Sequence, residues 1–147
     1  MNNNQPLDPT VWGPHFWFFL HTISLTYPKR PNDVTKKKYY DFVQNIPMWI
    51  PVESMATNFS KLLDEYPVSP YLDSRDAFIR WMHFIHNKIN ERLEKRKISL
   101  GEFYETYYKE YKPKQQQWVD YYKVKNKIGY TIILALCIGS IVYLYNK

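Results

Sequence analysis

His86 and Asn90 are the first residues in this chain that look able to hold a ligand. At roughly 100° per residue, Trp81, Ile85, Ile89, Phe78, Met82 and Leu93 spread over an apolar face about 120° wide. His86 and Asn90 lie at its edge, one turn apart, with Asn87 farther round. Polar groups on such a border either hydrogen-bond a planar ligand resting on the apolar face or turn to water. His21 follows Trp17 by four residues and so shares its face, where a histidine serves as a ligand group or as a satisfied structural group. Thiol chemistry has little to work with. The single cysteine, Cys137, excludes an internal disulfide framework and a Cys-based zinc site. It also sits in an apolar run, where a thiol has little access to the reactive thiolate.

These residues must be positioned by helices. Thr10 to Tyr27 puts Phe16, Phe19, Leu20, Ile23 and Tyr27 at helical spacing, with Pro14 near the first turn and Pro28 after the end. Asp33 to Gln44 reads as a second helix, stopped before Pro47, and Val52 to Glu65 as a third, between Pro51 and Pro67. The fourth, Ser74 to about Arg96, has the strongest apolar stripe and Ser74 as its N-cap. Ser99 and Glu102 form a capping box for a fifth that reaches about Tyr111. No stretch alternates with period two and no segment repeats. The reading is an all-α bundle.

Composition divides the chain. It has 147 residues, 20 Lys+Arg against 14 Asp+Glu, and a net charge of +6. All 10 prolines lie at or before Pro113. From Ile128 to Tyr145, nine of 18 residues are Ile, Leu or Val and none is charged. As a helix this run spans about 27 Å, a minimal membrane crossing. Tyr121, Tyr122 and Tyr130 at one end and Tyr143 and Tyr145 at the other suit an aromatic belt. Lys123, Lys125 and Lys127 outweigh Lys147 on the far side, which keeps the N-terminal part cytosolic. The expected organisation is a helical domain over 1–112, a polar and basic connector over 113–127 and a transmembrane helix over 128–145. Met1 to Gln5 is polar, and Phe16 to Leu20 belongs to a helix pattern, so no secretory signal is expected.

The motifs carry a resemblance. Trp12-Gly13-Pro14-x-x-Trp17-x-x-Leu20-His21-Thr22 followed by Tyr27-Pro28, and Trp81-x-x-x-x-His86-Asn87-x-Ile89-Asn90-x-x-Leu93-x-Lys95, resemble the two signatures of the ERV/ALR FAD-linked sulfhydryl oxidases. The likeness covers about Trp12 to Tyr111 and is strongest to the short versions carried by large DNA viruses. It implies a four-helix bundle with a short fifth helix, cradling FAD. It also implies Gly13, Trp17 and His21 on the flavin side of the first helix. Trp81, His86, Asn87, Asn90, Leu93 and Lys95 of the fourth would surround adenine, ribose and phosphates. A lysine ammonium beside a pyrophosphate and aromatic stacking surfaces agree with that.

One departure decides the functional expectation. Family enzymes open the third helix with Pro-Cys-x-x-Cys and place a histidine three residues later; here Val52, Met55 and Asn58 occupy those positions. Disulfide transfer requires an attacking thiolate and a resolving thiol, which valine and a thioether cannot supply. The expectation is therefore a catalytically inactive relative serving as a membrane-anchored structural protein, in the manner of a minor capsid protein beneath a virion shell. FAD binding is expected to be weak or absent, and no metal site is expected. The alternative is a FAD-linked thiol oxidase or other flavoprotein that uses a partner's cysteines. Lys36 to Lys38 and Lys95 to Lys97 lack any accompanying nucleic-acid motif. Consecutive tyrosines among the 14, such as Tyr107-Tyr108 and Tyr121-Tyr122, cannot all face one side of a helix, and favour contacts with virion proteins or a second copy.

Overall fold

The computed structural model describes residues 7–146, with side chains for all of these except 114–117; the expectations for Met1–Gln5 and Lys147 lie outside the described residues. The chain forms two compact units, Met1–Tyr104 and Glu105–Lys147. The described residues are helical, without strands.

In the first unit every α-helix start except that of α3 carries a side-chain cap. Asp8 opens α1 (Pro9–Thr26), its carboxylate accepting from the Thr10 N–H at 2.8 Å. Asn32 opens α2 (Asp33–Asn45) through the Thr35 N–H at 2.8 Å. A 3-10 turn, Ile46–Trp49, leads to α3 (Glu53–Glu65), and a second, Ser69–Tyr71, leads to α4 (Arg75–Arg92). Ser74 caps α4 through the Ala77 N–H at 3.2 Å. At α5 (Leu100–Lys109) the capping box closes both ways. Ser99 Oγ accepts from the Glu102 N–H at 3.2 Å, and Glu102 accepts from the Ser99 N–H at 2.8 Å. That backbone bond, helped by Arg96, holds the Glu102 carboxyl down at about 2.

The core lies where α1 and α4 pack together. Leu20, Tyr27, Phe59, Leu63, Phe78, Trp81, Met82 and Ile85 are buried in one cluster. Two polar ties fix it. The Tyr27 hydroxyl donates to the Leu72 carbonyl at 2.7 Å, and Arg75 Nε donates to the Tyr27 carbonyl, so the end of α1 is bound to the start of α4. The Trp81 indole N–H donates to the Tyr66 carbonyl at 3.0 Å.

Two details differ from the sequence expectation. Phe19 shares the helical spacing of Leu20, Ile23 and Tyr27 yet is 54% exposed; Leu20, His21 and Ser24 are the buried residues of α1. This helix is apolar around much of its girth, so spacing alone does not choose the face that α4 covers. Helix α4 also stops at Arg92 rather than near Arg96, which leaves Leu93 and Lys95 beyond its end. Glu94 adopts φ 55° there. The Glu94 N–H reaches the Glu91 carbonyl at 3.2 Å and the Lys95 N–H reaches the Asn90 carbonyl at 2.8 Å. These two bonds make a Schellman closure with glutamate where glycine is usual, so the sequence gives no stop signal.

In the second unit, Pro113 precedes a single helix, α6 (Lys114–Tyr145), of 32 residues. Connector and apolar run are thus one rod of about 48 Å. Its segment Trp118–Tyr145 is long and apolar enough to cross a membrane.

Candidate functional site

Where α1 meets the second half of α4, aromatic and imidazole rings converge. Trp17 lies flat on His86, with ring centroids 4.0 Å apart and planes 10° from parallel. His21, one turn after Trp17, stacks beside it at 5.8 Å. One nitrogen of the imidazole pair donates to the other, His21 Nε2 and His86 Nδ1 being 2.9 Å apart. Phe103 covers His21 from α5 at 4.4 Å. The second ring nitrogen of His21, Nδ1, is buried without a hydrogen-bond partner.

Burial sets the charge of this pair. It pushes the His21 imidazole down to about 3, with the nearby charges of His86 and His83 acting in the same direction. Burial likewise brings His86 down to about 4, helped by His83 and Lys95. Both rings are neutral at pH 7, and the field of Lys95 reaches His86 although Lys95 itself is exposed. His86 keeps the edge position expected for it and is partly buried there, because α1 supplies Trp17 and His21 against it.

The other residues singled out by sequence divide between site and scaffold. Gly13 stands one turn before Trp17, and a Cβ built on it meets nothing within 4 Å. Trp81 is 2% exposed and its N–H is taken by Tyr66, so it packs within the core. Asn87 binds the loop before α5, its amide accepting from the Ile98 N–H at 3.0 Å and donating to the Ile98 carbonyl at 2.9 Å. Asn90 holds the turn through its carbonyl, followed by the 46%-exposed Leu93 and then Lys95. Val52 caps α3 without a side-chain hydrogen bond, and the Asn58 carbonyl accepts from Arg92 at 3.0 Å. His83 escaped the sequence reading. It hydrogen-bonds the Ile98 carbonyl at 2.9 Å, and its position four residues before Asn87 was the available signal. No set of three His, Cys, Asp or Glu among the described residues is placed to hold a metal.

The sequence profile of the Erv1/Alr family matches residues 14–120, which include all but Gly13 of the site. The chain belongs to the Erv1/Alr family. It is 30% identical over 111 residues to a probable FAD-linked sulfhydryl oxidase of Acanthamoeba polyphaga mimivirus, covering 75% of this chain and 78% of that protein. The mitochondrial FAD-linked sulfhydryl oxidase of Saccharomyces cerevisiae is 31% identical over 106 residues, 72% of this chain and 54% of its own length. The crystal structure of the yeast Erv1 core superposes with a TM-score of 0.62 at 28% identity, covering 76% of this chain and 90% of that one. The Erv1/Alr bundle is therefore present, and the Trp17–His21–His86 cluster lies within its matched part. This Erv1/Alr chain has its only cysteine, Cys137, in α6 and exposed.

Proposed function

We propose that this Erv1/Alr protein is a membrane-anchored structural member of its family that does not oxidise thiols by itself. The location of its cysteine carries this reading. A dithiol that passes electrons needs two sulfurs within reach of each other, and Cys137 in the apolar helix is alone. The opening of α3, the family's expected place for the pair, holds Val52 and Met55, both partly buried apolar groups. In this reading the domain over 1–112 is held at a bilayer by 128–145, with its N-terminal part cytosolic and the 113–127 stretch outside the hydrocarbon. Virion placement beneath a protein shell accords with a viral relative, and exposed tyrosines such as Tyr108 and Tyr111 suit contacts with other virion proteins or a second copy.

Two features of the α1–α4 contact fit FAD, the cofactor named for the relatives. The buried His21 Nδ1 lacks a partner, and the Trp17 and His86 rings offer flat aromatic surfaces beside it. Gly13, Trp17, His21, His86, Asn90, Leu93 and Lys95 are the residues that would hold it, while Trp81 in the core and Asn87 on the Ile98 backbone position α4. When bound, FAD supplies a two-electron acceptor. Those features also favour the second reading, a flavoprotein acting on a partner's cysteines. Asn58 in place of histidine and the absent dithiol remove flavin neighbours, so weak or absent binding is the expectation for this chain.

Two assays test the proposal on the full chain in detergent and in vesicles. Oxygen consumption with dithiothreitol or a reduced protein should stay at background; turnover comparable to a dithiol-containing relative, in a preparation free of contaminating oxidase, would overturn the inactive reading. The chain should float with liposomes and resist carbonate extraction. Release by carbonate would overturn the anchor.

A further inference from the structure

We infer that α6 carries a binding face for an anionic phospholipid, formed by Lys123, Asn126, Lys127 and Tyr130 above Thr131 and Leu134. This rests on the anchor reading above and adds a lipid class to it. The six residues line one shallow groove along one side of the helix. Lys123 and Lys127 are four residues apart, so their ammonium groups project from neighbouring turns of that side. Both are exposed, and neither forms an ion pair among the described residues. Asp120, the acidic residue of α6, is engaged by Lys112 at 3.3 Å and leaves the two lysines uncompensated.

The chemistry changes along the groove in the order a phospholipid does. Two cations and the Asn126 amide come first and match a phosphate and a second headgroup anion. The Tyr130 ring, 72% exposed, follows at the level where an amphipathic ring meets the acyl ester region. Leu134 then continues into the apolar run, where an acyl chain would lie. Thr131 leaves no polar demand there, because its hydroxyl donates to the Lys127 carbonyl at 2.9 Å. Charge complementarity selects a headgroup with a second anion, and so a net negative charge, over a zwitterionic one whose ammonium cancels its only phosphate charge. Lys125 points close to the opposite side of the helix, which separates a binding face from a merely basic flank.

The test uses the full chain in phosphatidylcholine vesicles, with phosphatidylserine or phosphatidylcholine carrying a nitroxide on the acyl chain. Electron paramagnetic resonance reads the fraction of each label slowed by the protein. At low salt the serine lipid should associate about fivefold more strongly than the choline lipid, falling toward equality in high salt. Lys123→Gln and Lys127→Gln should each lower that ratio by about twofold, and Lys125→Gln should leave it unchanged. These exposed helix positions tolerate glutamine, so folding is not at issue. Equal association of the two lipids with the wild type would overturn the inference while leaving the anchor standing. An equal loss from all three variants would also overturn it, showing a diffuse positive flank. If neither label is slowed, the helix is not in the bilayer, and the anchor fails with the inference.

Discussion

Acid should destabilise this fold well before its carboxylates titrate, because two histidines, one buried and one partly buried, are held neutral. Unfolded, each imidazole titrates near pH 6.5; folded, burial holds His21 at about 3 and His86 at about 4. As pH falls below 6.5 the unfolded chain takes up protons that the folded chain refuses, so stability is full above about pH 7 and lost on acidification. At pH 5.5 the difference approaches two protons, a slope of about 2.5 kcal/mol per pH unit. Between pH 7 and pH 5 the loss reaches about 4 kcal/mol, a large share of the stability of a domain this size. Asp8, Glu91 and Glu102, whose carboxyl groups are held low, add their own acid sensitivity mainly below this window. The assay is urea unfolding of the full chain in detergent, followed by tryptophan fluorescence at half-unit steps from pH 7.5 to 5. His21→Leu with His86→Leu should flatten the slope in that window whatever it does to the stability at pH 7. Imidazole proton shifts of the wild type provide a second reading that needs no variant. A flat wild-type profile, or His21 and His86 signals titrating near pH 6.5, would refute the reasoning.

Three further outcomes follow from particular contacts. Glu94→Gly should stabilise the protein by about 0.5–1 kcal/mol, read as a higher urea midpoint, since glycine adopts the left-handed closure of α4 without steric cost. Tyr27→Phe should cost about 1–2 kcal/mol in the same assay, because it leaves the carbonyl of the 3%-exposed Leu72 without its donor. With FAD added before purification, wild type should retain little flavin absorbance, and Val52→Cys with Met55→Cys and Asn58→His should raise it by tenfold or so, the effect of about 1–2 kcal/mol of restored contacts. Stoichiometric flavin in the wild type would favour the flavoprotein reading, and none in either would show that the helix-four residues act only as scaffold.

The sequence made the helix starts plain, because Asn32, Ser74 and the Ser99–Glu102 pair are local chemistry, with donor and acceptor three residues apart. The helix ends were less legible: α4 closes on a glutamate in a conformation normally marked by glycine. Trp17, His21 and His86 could be named from their motifs, yet helical spacing placed His86 only on a border. Its partial burial depends on rings from α1, 65 residues away in sequence, and no periodicity within α4 contains that information. Phe19 failed for the matching reason, since an all-round apolar helix does not show which side its neighbour will cover. His83 was visible only as one more polar position until Ile98 was found beside it.

The Asn87 amide gives Ile98 what a neighbouring strand would, a donor and an acceptor for the N–H and C=O of one residue. The chain between them is thereby a closed ring whose two ends are fixed and whose middle, Leu93 to Lys97, is exposed. Closing such a ring costs entropy that grows only with the logarithm of its length, roughly 0.6 kcal/mol for each doubling. Extra residues between Arg96 and Lys97 would therefore disturb exposed ion pairs of small worth and leave the clasp intact. That makes this loop the natural place for the lineage to vary in length and for an experimenter to insert a tag.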